Sequence, residues 1–151
     1  MGVDLFSMDN QSYIVAEDYW SNFIQFDVLH TTSTSAVIGR LKRYFATHGV
    51  PKEVVTDNGS QFVSAEFRDC GKKWLFKHTT VSPYHHCANG LAESAVQIVK
   101  NLIRKSKQDR NDIWLAALSQ RNTPTAGMLT APAQRLMSRC THDLLPDRQC
   151  L

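Results

Sequence analysis

The chain has 151 residues, 42% of them hydrophobic and 21% charged, and a domain of that size buries roughly 70% of its unfolded surface, so one domain with a real core is expected and a disordered chain is excluded. No run nears the ~18 apolar residues of a membrane span, and no basic segment leads into an apolar one at the start, so an intracellular protein outside the membrane is expected. The formal net charge is only +3. The cations nevertheless gather in Arg40, Lys42 and Arg43, in Lys72, Lys73 and Lys77, and in Lys100, Arg104, Lys105, Lys107 and Arg110, which permits contact with phosphates.

Taken in chain order, Val3 to Phe6 is a short apolar strand ended by Asp9-Asn10. Tyr13 to Ala16 and Phe23 to Leu29 are predicted strands, the second with Ile24, Phe26 and Val28 alternating against Gln25 and Asp27. The intervening Asp18-Tyr19-Trp20-Ser21-Asn22 makes them a hairpin, with Asp18 as turn former. Hydroxyls over Thr31 to Ser35 can cap a helix that carries Val37, Leu41, Tyr44 and Phe45 at helical spacing and stops near His48, before Gly49 and Pro51. Glu53 to Asp57 reads as a strand running into the turn pair Asn58-Gly59.

Ser64 to Trp74 is a predicted second helix, Leu75 to Thr79 a strand, and Val81 to Gly90 a loop. From Leu91 to about Lys107, Leu91, Ala95, Ile98, Val99 and Leu102 fall on one side of a helix while Glu93, Gln97, Lys100 and Arg104 line the other. Shorter helices are expected over Asp112 to Gln120 and Pro132 to Met137. Strands and helices alternating after a hairpin start give an α/β class. Cys70, Cys87, Cys140 and Cys150 form no CxxC pair and are expected to be free thiols.

Three acids stand where a side chain can be held rigidly and remain accessible: Asp4 in the first strand, Asp57 at the end of a strand, and Glu93 at the start of a helix. Carboxylates gathered in this way suit a pair of magnesium ions, which take oxygen ligands and can stabilise both the attacking and the leaving oxygen of a phosphodiester displacement. Taken singly, each has a plainer reading. Asp57 initiates a turn, Glu93 complements a helix dipole, and Asp4 is a solvated strand residue. Spacing by itself does not bring them together.

Several segments resemble the integrase catalytic cores of retroviruses and gypsy-type retrotransposons. Val3-Asp4-Leu5-Phe6 is similar to the family's first acidic strand, and Tyr13 through Ser21 to its second strand and turn. Val54-Val55-Thr56-Asp57-Asn58-Gly59-Ser60-Gln61-Phe62 is similar to the segment bearing the second catalytic Asp. Ser82-Pro83-Tyr84-His85 and Asn89-Gly90-Leu91-Ala92-Glu93 resemble the active-site loop and the catalytic Glu, with the family's spacing of 35 residues between Asp57 and Glu93. Thr130 to Met137 resembles the end of the core, so the likeness covers nearly the whole chain.

This resemblance implies a ribonuclease H-like fold, a five-stranded mixed sheet flanked by helices, with the core over residues 1–137 and a tail over 138–151. It implies Asp4, Asp57 and Glu93 as catalytic ligands of two Mg2+ or Mn2+ ions, and DNA 3′-end processing followed by strand transfer. It further implies Tyr84, Asn89, Lys100 and Arg104 as contacts to DNA, a homo-oligomer, and a nuclear place of action. The chain departs from the pattern at His86-Cys87, where the family has Pro-Gln, and in the extra acid Glu17 beside Asp18. With few residues before Asp4, the first strand is expected to lose about half its ladder. A second reading stays open, an integrase-derived module that binds nucleic acid or protein without chemistry.

Overall fold

The computed structural model describes residues 1–81 and 86–144, and for 86–92 the backbone alone. Its strands are β1 (Gly2–Met8), β2 (Gln11–Asp18), β3 (Phe23–Leu29), β4 (Glu53–Thr56) and β5 (Lys77–Thr80). The helices are α1 (Thr34–His48), α2 (Ser60–Val63), α3 (Ala65–Trp74), α4 (His86–Asp109), α5 (Ile113–Arg121) and α6 (Pro132–Met137). They build the expected α/β architecture, one five-stranded mixed sheet in the order β3-β2-β1-β4-β5.

Two tight turns set the antiparallel half. Asp9 (φ 52°) and Asn10 (φ 59°) take up positive φ at both central positions of the β1–β2 turn, the geometry whose twist matches that of the flanking strands. Asp18 shapes the β2–β3 turn as expected, its Oδ2 accepting from the Ser21 amide at 2.9 Å and the Ser21 hydroxyl at 2.6 Å. The first turn also corrects the expectation of a half-lost ladder on β1. Its register gives every residue from Gly2 to Met8 a partner on β2, and only toward β4 is the pairing sparse, with Gly2 opposite Val55.

The first helix begins and ends where expected. The Ser33 hydroxyl accepts from the Ala36 amide at 3.3 Å, and Gly49, at φ 90°, donates its amide to the Phe45 carbonyl at 2.8 Å. The second predicted helix, Ser64 to Trp74, is α3, with Ser64 (ψ 157°) as its cap through the Phe67 amide, and the short helix α2 just before it was not expected. Leu75 is the left-handed cap of α3, so β5 starts at Lys77 rather than Leu75. The predicted loop is also shorter than expected. Helix α4 begins at His86 and runs through Gly90, so His86, Cys87 and Asn89 belong to a helix, and Glu93 is its eighth residue rather than part of its first turn.

Apolar residues fill both faces of the sheet. One core holds Val3, Ile14, Val37, Leu41, Val54, Phe62 and Phe67 under α1 and α3. The other holds Tyr13, Val15, Phe26, Ala95, Val99 and Ile103 under α4 and α5. Cys70 is a buried free thiol, but Cys140 is disulfide-bonded, against expectation. No described helix is long and apolar enough to cross a membrane.

Candidate active site

Strand alternation decides which way Asp4 points. Val3 and Leu5 belong to the core under α1, whereas Phe6 and Met8 pack with the core under α4. Side chains two apart share a face, so Asp4 points toward α4. On the neighbouring strand Val54 faces α1, so the same alternation carried past Thr56 turns Asp57 toward the α4 side as well. Register brings the two acids level. Gly2 pairs in parallel with Val55, and two residues later come Asp4 on β1 and Asp57 directly after β4, strands that run about 4.8 Å apart.

The surroundings of these two carboxylates differ. Asp4 is half-buried and its Oδ1 accepts from the Leu5 amide at 2.7 Å. Burial is the main reason its carboxyl sits above the ordinary 3.8, helped by the negative charges of Asp57 and Glu93 and opposed by that backbone bond and by Lys100. Asp57 is exposed at the strand end, where its Oδ1 accepts from the Gly59 amide at 2.9 Å and fixes the Asn58-Gly59 turn.

Helix α4 supplies the opposite wall. Its buried stripe of Ala95, Val96, Val99 and Ile103 seats it on the sheet and leaves Glu93 exposed beside β1. Lys100 is half-buried rather than turned away from the sheet, with Nζ 5.4 Å from the centroid of the Phe6 ring. Between β1 and α4 runs an open groove of about 510 Å3, lined chiefly by Asp4, Leu5, Phe6, Glu93, Gln97 and Lys100.

Three of the expected site residues, Asp57, Glu93 and Lys100, therefore act through charge on a fourth, Asp4. They do not form a closed cation cage. Among the described residues, no three His, Cys, Asp or Glu side chains stand close enough to hold a metal ion, and Glu93 faces Asp4 across the groove. Arg104 is not brought to the site. It is exposed, does not line the groove, and donates to Asn101 Oδ1 at 3.0 Å. Tyr84 lies outside the described residues, as does the side chain of Asn89.

Two features next to the acids were not expected from the sequence pattern. The ring of Tyr19 lies against Gly2, and the Tyr19 hydroxyl and Glu17 Oε2 are both buried with no hydrogen-bond partner among the described residues. Burial raises the Tyr19 hydroxyl above its ordinary value, with Glu17 and Asp4 adding to it. The second feature is at β4. The Thr56 hydroxyl donates to the Asp57 carbonyl at 2.8 Å and lies 2.9 Å from His78 Nε2. A polar residue at the last position of a buried strand was the available signal for Thr56. Nothing local marks His78.

Comparison with solved structures decides the fold. Over 91% of this chain and 92% of the other, it superposes on the catalytic core domain of BIV integrase with a TM-score of 0.75 at 19% identity. The fold is that of an integrase core. This integrase-like core also covers 57% of a chain in the simian T-cell lymphotropic virus intasome complexed with the PP2A regulatory subunit B56 gamma, with 99% of its own length matched, a TM-score of 0.78 and 23% identity. Its sequence homologues include the Gag-Pro-Pol polyproteins of Simian retrovirus SRV-1 and Mason-Pfizer monkey virus, each 33% identical over 100 residues, 66% of this chain. An uncharacterized Caenorhabditis elegans protein is 27% identical over 119 residues, 76% of this chain. The chain spans only 6% of the length of those two viral relatives and 9% of the worm protein. No family model matches it.

Proposed function

We propose that this chain is the catalytic core of a retroelement integrase, a polynucleotidyl transferase that processes DNA 3′ ends and joins them to target DNA. The observation that carries the reading is the placement of Asp4 level with Asp57 on one face of an integrase-core fold, with Glu93 and Lys100 facing Asp4 across the groove, where burial and the neighbouring acids raise the Asp4 carboxyl. Such a charge is costly unless a cation shares it. Asp4, Asp57 and Glu93 are the residues that would hold two Mg2+ or Mn2+ ions. Glu93 must close on the strand-borne pair to complete that set. When bound, such ions supply charge neutralisation of the attacking and leaving oxygens.

The rest of the work falls to the chain itself. Lys100, on the same helix as Glu93 and about 10.5 Å further along it, holds a DNA phosphate beside the acids. Phe6 under its ammonium keeps the side chain over the groove. Tyr84 and Asn89 contribute further contacts to the DNA, and Arg104 extends the basic stripe once DNA lies along α4. Rigid strand positions for Asp4 and Asp57 fix where the phosphodiester must sit, and positioning of this kind supplies much of the rate with no covalent intermediate on the protein. The core works as a homo-oligomer that holds two DNA ends, and it acts in the nucleus.

Strand transfer of a terminal-repeat oligonucleotide into target DNA, with magnesium or manganese, tests the reading. Asp57→Asn and Glu93→Gln should each lower the rate at least about 100-fold while leaving DNA binding in place. Unchanged joining in either variant refutes the assignment. Binding of DNA with no joining by the unaltered chain moves the conclusion to the non-catalytic module.

A further inference from the structure

Asp57 leaves the sheet at the end of β4, where exposed chain ordinarily frays. What restrains it lies beneath, on the opposite face. Thr56, 2% exposed, shares that face with Val54, and the parallel register that pairs Val54 with His78 puts the imidazole there too. His78 is anchored by the buried ring of Phe67, with ring centroids 4.7 Å apart at 60°.

The hydrogen bonds among these groups admit one arrangement of protons. A carbonyl can only accept, and a threonine hydroxyl has a single hydrogen. With that hydrogen donated to the Asp57 carbonyl at 2.8 Å, the contact of 2.9 Å to His78 requires the ring to be the donor, so the hydrogen sits on Nε2. Burial keeps the His78 pKa below the ordinary histidine value, so at neutral pH the ring carries one N–H and its other nitrogen is bare. The Thr56 carbonyl meanwhile accepts from the Val81 amide at 2.8 Å, which ties the exit of β5 to the same point.

We infer that His78 is a positioning residue that acts through Thr56: a directed chain from His78 Nε2–H to the Thr56 hydroxyl to the Asp57 carbonyl holds Asp57 level with Asp4. Its consequence for catalysis rests on the integrase reading above. The hydrogen-bond chain does not. Replacing His78 with a residue that cannot donate leaves the Thr56 hydroxyl free to turn away from Asp57, and the loss appears in the placement of that carboxylate rather than in DNA affinity.

Nitrogen-15 NMR of the full chain tests the chain of bonds without any activity. The His78 ring should show the Nε2–H tautomer, with an Nε2 proton slow to exchange with water. Thr56→Val should speed that exchange and shift the Asp57 carbonyl carbon, and Thr56→Ser should restore both. An Nδ1–H tautomer, or an Asp57 carbonyl unmoved by Thr56→Val, overturns the inference.

In strand transfer, Thr56→Val and His78→Leu should each lower kcat roughly 10-fold with little change in the KM for DNA, as loss of a supporting partner does. Their combination should be no worse than either alone, and His78→Gln, whose amide can donate, should recover most of the rate. Additive losses or an effect confined to KM would refute the positioning role. If the unaltered chain joins no DNA, the integrase reading fails, and the NMR result still decides whether the chain of bonds exists.

Discussion

Arg135 is the clearest place to test whether α6 belongs to the folded core. Its guanidinium makes five hydrogen bonds: Nε and Nη2 to the Ser21 carbonyl at 2.9 and 2.6 Å, Nη2 to Asn22 Oδ1 at 3.2 Å and Thr125 Oγ1 at 2.9 Å, and Nη1 to the Thr130 carbonyl at 3.0 Å. Ser21 is 0% exposed, so Arg135→Ala strands a buried carbonyl at a cost of about 1–3 kcal/mol. The other three acceptors can turn partly to water and add about 0.5–1 kcal/mol each. Regained arginine rotamer freedom returns about 1–2 kcal/mol of this. The middle of these ranges is a net loss of about 3 kcal/mol, or a fall in Tm on the order of 6–12 °C for a chain of this size. Urea unfolding followed by circular dichroism reads it as a lower midpoint at constant slope. Arg135→Lys should recover less than half, because one ammonium cannot reach both the Ser21 and the Thr130 carbonyls as the planar fork does. A loss below about 1 kcal/mol for Arg135→Ala would show that α6 docks without this clamp and would refute the reasoning.

Other expectations concern charge and packing. Asp4 is raised in the folded state, so its protonation favours folding below 3.8, and that contribution disappears as the pH rises through the raised value. Asp4→Asn should therefore stabilise the metal-free chain at pH 7 while abolishing joining, and a lower urea midpoint at pH 7 would contradict it. His48 and His78 are both lowered by burial, so they stabilise the fold fully above 6.5 and progressively less as the pH falls through their depressed values. Urea midpoints between pH 7.5 and 5 should fall less steeply in His48→Gln, and an unchanged slope would exclude His48 as a contributor. Lys100→Gln should weaken DNA binding evenly across sequences and reduce the salt dependence by about one counterion, measured by fluorescence anisotropy. Gly2→Ala sets a methyl 2.3 Å from the Tyr19 hydroxyl and 2.7 Å from its ring, which should cost about 1–3 kcal/mol in urea unfolding, and Tyr19→Leu should recover part of it.

The sequence made the fold legible where local chemistry and long-range packing agree. Asp9-Asn10, Asp18, Ser33 and Gly49 each satisfy a backbone requirement within a few residues, and the elements they bound fall where the pattern puts them. The boundaries that moved were set by tertiary effects. Ser64 reads as the first helical residue and is instead the cap of α3, and Gly90 reads as loop although α4 continues through it. At the site, Asp4 and Asp57 lie far apart in the chain and become neighbours through the parallel pairing of β1 with β4, which no periodicity encodes. Lys100 shows the limit of a helical wheel. The wheel turns it away from the apolar face, whereas its long stem lies over Phe6 at the margin of that face. His78 was invisible because its meaning depends on two strands and on where a single hydrogen lies.

The seating of α4 gives the acids unequal standing. Asp4 is carried by a strand paired along its whole length and Asp57 follows directly on β4, so these two form one jaw on the sheet, while Glu93 stands two residues before Ala95, the first buried residue described on its helix, and forms the other. The gap between the jaws is then set by how the helix lies on Phe6, Tyr13 and Val15, so exchanging Val99 for a larger or smaller side chain should change the spacing between Glu93 and Asp4 while touching none of the carboxylates. In this molecule the fine adjustment of a charged site is a matter of apolar packing.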